Sequence, residues 1–175
     1  SNVAVYATST DTSASPNGVA TNFSFTTGAD STTPTVTLTI PAAGAIGVAT
    51  NALVSVKFDD NVGVASNTVV VRVGGVTGLS NGAFVNSYTG TLVRTNATAF
   101  KAVLDRPTPF SFSTTVTVQA SARDGAGHMR ATNIAFTTVA DTTAPVVVLT
   151  IPAAGATGIA TNADVVVKFG DNAGV

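Results

Sequence analysis

The chain has 175 residues, a formal net charge of −1 and no cysteine. That composition excludes a disulfide framework, a zinc–thiolate site and a cysteine nucleophile, and it offers no electrostatic footprint for nucleic acid or an anionic membrane surface. Charged residues make up 10% of the sequence and every one of the nine acids is an aspartate, well below the roughly 25% of ordinary globular domains, so Ser, Thr, Asn and Gly must form most of the surface, hydrated by their hydroxyls, covered by glycans or packed against other copies.

Read from the N-terminus, the sequence repeats itself. The run Ala20–Val64 returns as Ala131–Val175 at an offset of 111 residues, without a gap and with 32 identities in 45 positions. Val3, Val5, Ala7 and Asp11 match Val116, Val118, Ala120 and Asp124 at an offset of 113, so the loop after Asp11 is two residues longer than the one after Asp124. This phase makes residues 1–29 the tail of one domain, 30–140 a complete domain and 141–175 the head of another. Neither partial segment holds enough strands to bury a core by itself. Head-to-tail completion between chains would still lack the middle of a domain, so the expectation is a longer parent chain.

Within the complete domain, short β-branched runs alternate between Gly, Pro, Asn and Asp clusters, and helical periodicity is missing. Strands are predicted at 35–40, 53–58, 68–73, 91–95, 99–104, 114–122 and 133–138. The fold class is therefore all-β, with tandem immunoglobulin-like β-sandwich domains of about seven strands each. Because successive strand residues face opposite sides, Val54, Val56 and Phe58 are expected to share the core face and Ser55 and Lys57 the other. Val116, Val118, Ile134 and Phe136 are likewise core residues, and Phe100, Val103 and Leu104 close the core from the middle. Pro41 ends the first strand because it cannot donate to a ladder.

The segments that carry a family resemblance run through the complete domain. They are Thr-Thr-Pro at 32–34, IPAAGAIGVATN at 40–51, VSVKF at 54–58, SYTGTLVRT at 87–95, VTVQASARDGAG at 116–127 and AFTT at 135–138. In this order they resemble the bacterial immunoglobulin-like domains repeated in S-layer proteins and large surface adhesins. The resemblance implies a secreted or surface-displayed spacer, stalk or adhesion module with no catalytic residues. His128 departs from the pattern, since similar domains commonly carry asparagine after the glycine, and this puts a turn-stabilising amide contact in question.

Calcium is the sharpest site hypothesis, because hard cations collect oxygen ligands. Its candidates are Asp30 and Asp141 in the linkers, Asp59 and Asp60 after the second strand, and Asp124 in the late turn. Against it stands the strong tendency of aspartates to form turns through side-chain to backbone bonds. Lys57 and Asn133 raise an isopeptide crosslink, but the alternation puts Lys57 outside. Asn22-Phe-Ser and Asn96-Ala-Thr are glycosylation sequons. In the valine run 69–71 one side chain must face away from the core, and Val70 is that interface candidate.

No catalytic spacing is present, and the single histidine, His128, falls in a turn. No stretch approaches the roughly 20 apolar residues of a membrane span. The expected partners are neighbouring repeats of the same chain and other copies in a polymer or surface assembly. The expected function is an extracellular or cell-surface structural repeat, in a filament, S-layer or adhesin shaft. A spacer or carbohydrate-binding module is the alternative, although the chain has no tryptophan and two tyrosines, Tyr6 and Tyr88, for a sugar-stacking platform.

Overall fold

The computed structural model describes residues 1–173; Gly174 and Val175, which close the 141–175 segment, lie outside the described residues. The residues divide into two compact units, Ser1–Thr32 and the chain from Thr33 on.

The first unit is an antiparallel hairpin of β1 (Asn2–Thr10) and β2 (Gly18–Thr26). Alternation gives it an apolar face carrying Val3, Val5, Phe23 and Phe25. Phe25 is 51% exposed, whereas its repeat counterpart Phe136 is 1% exposed.

In the second unit, β3 (Thr35–Ile40), β4 (Val54–Asp59), β8 (Thr89–Arg94) and β9 (Phe100–Asp105) form one sheet in the order β3-β4-β9-β8. Five further strands, β5 (Val64–Val73), β6 (Val76–Ser80), β7 (Ala83–Phe84), β10 (Thr115–Asp124) and β11 (Met129–Thr137), form the other in the order β11-β10-β5-β6-β7. This is the strand order of an immunoglobulin-like sandwich with an extra strand pair on the second sheet. The core lies where the inner faces meet: Val56 and Phe58 from β4, Val69, Val71 and Val73 from β5 and Val118 from β10 are fully buried. Each such side chain contributes about 1.5–3 kcal/mol relative to exposure.

The Pro-Gly segment after β3 joins the two sheets. From β3, which ends at Ile40, the chain crosses to the edge of β11. There Gly44 donates to the carbonyl of Ala135 (2.8 Å), Thr137 to that of Ala45 (2.7 Å) and Val139 to that of Val48 (2.8 Å). A parallel bridge pairs Val48 with Thr138. The strap satisfies main-chain groups that β11 would otherwise expose along its edge. Beyond it, β12 (Val146–Ile151) and β13 (Val166–Gly170) pair, among the described residues, only with each other, and Phe169 is 51% exposed where its counterpart Phe58 is fully buried.

The expectation of seven strands is corrected to nine in the sandwich. The two that the sequence hides are β6 and β7, because Gly74, Gly75, Gly78 and Gly82 break up their apolar pattern. Gly78 is a packing requirement: a Cβ there would lie 2.7 Å from Tyr88 Cδ1 and 2.8 Å from Leu104 Cδ2. Val103 is also corrected, since β9 turns Ala102 and Leu104 inward and leaves Val103 on the outer, half-buried face. Ser55 does alternate with the core valines, yet it is fully buried, capped by the Thr39 hydroxyl, which reaches Ser55 Oγ at 2.9 Å.

Gly90 in β8 adopts φ +148°, and a Cβ would collide with the Val103 carbonyl oxygen. Gly78→Ala and Gly90→Ala are each expected to cost about 1–3 kcal/mol in urea denaturation. Gly125→Ala, where nothing lies within 4 Å, should stay within about 0.5 kcal/mol. Equal effects at all three positions would contradict this packing.

Candidate functional site

Three turns gather at one end of the sandwich. Asp124 pairs with Val64, Gly125 donates to the carbonyl of Gly63 (3.3 Å), and Val64 donates to that of Thr98 (3.2 Å). The turns after β4, between β8 and β9, and between β10 and β11 therefore lie side by side, bringing Asp59, Asp60 and Asp124 to the same end. Their carboxylates are engaged separately. Lys57 Nζ lies 2.7 Å from Asp59 Oδ2, and this ammonium holds the Asp59 carboxyl below the usual carboxylate range; Thr98 Oγ1 donates to Asp59 Oδ1 at 3.3 Å. Asp60 Oδ2 accepts from the amides of Val62 (3.0 Å) and Gly63 (3.1 Å), the local bonding that favours aspartate in turns. Among the described residues Asp60 Oδ1 is buried without a hydrogen-bond partner, as is Oδ1 of Asp171 at the equivalent place 111 residues on.

The Asp124 side chain is buried and receives the His128 amide at Oδ1 (2.9 Å) and the His128 ring Nδ1 at Oδ2 (2.9 Å). Burial pushes its carboxyl up, but the hydrogen bonds from the His128 ring and amide and from the Gly127 amide outweigh that effect and hold it below its ordinary value. The first hairpin contains the same clamp. Asp11 Oδ1 accepts from the Asn17 amide (3.0 Å) and Asp11 Oδ2 from Asn17 Nδ2 (3.3 Å). The Ser13 hydroxyl and then the Asn17 bonds lower the Asp11 carboxyl to about 2. Asn17 stands where His128 stands in the next copy, so the histidine ring nitrogen takes over the amide contact that the sequence put in question.

Asp30, in the first unit, accepts from the Thr32 amide and hydroxyl at 3.1 and 2.8 Å. Asp141 follows the far end of β11; the Thr143 amide, 3.0 Å away, is the main cause of its lowered carboxyl. Asn22 sits inside β2 opposite Tyr6. Asn96 occupies the exposed β8–β9 turn, where its Oδ1 accepts from the Thr98 and Ala99 amides at 2.8 and 2.7 Å. Val70 lies on the outer face of β5, half-buried in a groove with Ser121, Ala131 and Asn133. Lys57 on β4 and Asn133 on β11 belong to different sheets, and the Lys57 ammonium is engaged by Asp59. Tyr88 is 5% exposed and Tyr6 68% exposed, so the two tyrosines make no shared platform.

Residues 30–138, more than half of the chain, match the family model described as "Bacterial Ig-like domain". The chain belongs to the bacterial Ig-like domain family. Neither the comparison with curated proteins nor that with solved structures gives a match.

In this Ig-like domain the aspartates were legible from the sequence, but their division of labour was not. Asp59 is set by a lysine two residues back and Asp124 by a ring four residues on, contacts that depend on how the strand ends and turns are shaped. The sequence also gave no sign that Arg106, beyond the opposite end of β9, would stack on Phe110.

The Asp124 carboxyl is more acidic folded than unfolded. It therefore stabilises the Ig-like domain above its unfolded value of about 3.9, and that contribution is lost as pH falls through the folded value. Asp124→Asn is expected to lower the melting temperature at pH 7, with the gap from the parent narrowing below about pH 4. A gap that stays constant down to acid pH would show that the carboxylate's charge is irrelevant.

Proposed function

We propose that this chain is a structural repeat of an extracellular or cell-surface assembly, a shaft segment without catalysis in a filament, S-layer or adhesin. The observation that carries this reading is the 111-residue repeat, with 32 identities in 45 positions, in a chain whose residues 30–138 match an Ig-like domain. Arrays whose units contact chiefly their neighbours gain length from repetition. The linkers GADSTTP and VADTTAP are short, and each proline restricts the residue before it to extended geometry. A surface built from Ser, Thr and Asn instead of charges suits packing against further copies, with Val70 on the outer face of β5 as the proposed contact.

Electron micrographs of the native assembly test this. A sandwich whose strands run 6–10 residues, roughly 2–3 nm at the strand rise, should with its turns and linker give an axial repeat of roughly 4 nm, and Val70→Asp should disrupt lateral association while leaving the fold intact. Monomers that never associate into a regular array would contradict the shaft reading and favour the alternative of a spacer or carbohydrate-binding module in a secreted protein.

Calcium is the proposed accessory ligand. Its support is the buried Oδ1 of Asp60, and again of Asp171, that has no partner among the described residues, since a hard cation needs carboxylate oxygens that nothing else occupies. Calcium at millimolar concentration is expected to raise the melting temperature and Asp60→Asn to remove the rise. Identical melting in calcium and in chelator would leave Asp60 as a turn former alone.

A further inference from the structure

The end of the sandwich away from the aspartate turns holds a cation that forms no ion pair among the described residues. Arg106 follows β9, and its guanidinium carbon lies 4.7 Å from the centroid of the Phe110 ring. That ring is fixed in place. It is 5% exposed, meets Phe136 edge-on at 5.5 Å and 79°, and its residue's amide donates to the Thr50 carbonyl at 2.8 Å. Arg106 also lies close to the Tyr88 hydroxyl. Among the described residues no carboxylate is within ion-pair reach of Arg106. Most surface arginines are simply solvated, and their ion pairs are worth little. This one differs because a core-anchored ring orients its planar fork beside a built depression.

Two clefts meet at the guanidinium. The larger, about 320 Å³, is lined by Arg106, Phe110, Ser111, Thr115 and Thr117. The smaller, about 60 Å³, adds Thr50, Asn51, Thr108 and the carboxylate-bearing Asp105. The Ser111 and Thr117 hydroxyls have no hydrogen bond within the described protein. The larger cleft, which Asp105 does not line, thus offers one preoriented cation flanked by hydroxyls that both donate and accept, and it has no apolar pocket for a peptide side chain.

We propose that this cleft binds an acidic saccharide, a hexuronate unit whose carboxylate pairs with the Arg106 fork while its ring hydroxyls meet Ser111, Thr115 and Thr117. A guanidinium recognises a carboxylate bidentately with charge-assisted bonds, and stacking on Phe110 holds it without spending its donors. The site goes beyond the structural-repeat reading and does not depend on it.

The test is titration of the 175-residue protein with a galacturonate oligosaccharide, followed by amide and arginine side-chain NMR shifts, beside the matched neutral galactose oligosaccharide. The expected result is saturable shifts at Arg106 and across 111–117 with the acidic sugar alone. Arg106→Gln should weaken binding at least about tenfold, and Arg106→Lys should recover part of it. Thr117→Val, on an exposed position of β10, provides a second variant should Arg106→Gln fail to fold, and it should weaken binding to the acidic sugar. No saturable shift, equal binding of the neutral sugar, full competition by acetate at equal concentration, or binding unaltered by both variants would each overturn the proposal.

Discussion

Everything else in the sandwich depends on the burial of one side-chain set from each sheet against the other. Val56 and Phe58 on β4 and Leu104 on β9 face Val69, Val71 and Val73 on β5 and Val118 on β10, nearly all of them without solvent contact. Strand periodicity makes this an all-or-none arrangement, because a slip of one residue would turn each apolar set outward. With inner faces so committed, a charge-poor chain is left only its outer faces and its two ends for recognition, and the polar groups of interest are found there.

The two ends differ because of the elements that reach them. At one end, the turns between consecutive strands present Asp59, Asp60 and Asp124, held by a lysine, by backbone amides and by a histidine respectively. At the other, the exit of β9 and the entry to β10 place Arg106 over Phe110, beside the strap that ties residues 44–48 to β11. The clamp around Asp124 shows how tightly the fold specifies such a turn. Asn17 and His128 are chemically different, and the loops they close differ by two residues, yet each supplies an amide and a side-chain nitrogen to the equivalent aspartate, Asp11 or Asp124.

Alternation and turn chemistry made much of this readable in advance. The strand cores around Val36–Ile40, Val54–Phe58, Val69–Val73 and Val116–Ala122 follow from the period of two, as does the outward position of Val70. The β6–β7 pair was not readable, because its glycines serve close packing under Tyr88 and so mimic a loop in the sequence. Val103 was misplaced for a related reason: in Phe-Lys-Ala-Val-Leu-Asp both registers contain an apolar residue, and only pairing with β4 decides which one faces inward. The aspartates stood out by type, whereas their partners come from strand ends and turns whose mutual placement is tertiary. Arg106 carried no local signal, since its ring partner gains significance only once the core has fixed it.

Stretching a single molecule of the repeat array tests most directly whether the 111-residue period is a mechanical unit. Each Ig-like domain should unfold as one event, with contour-length increments of about 35 nm, the extended length of 111 residues less the folded span. Uniform increments of that size are the predicted result. Increments that are irregular, or that correspond to a fraction of the period, would contradict the account of the chain as a series of independently folded structural repeats.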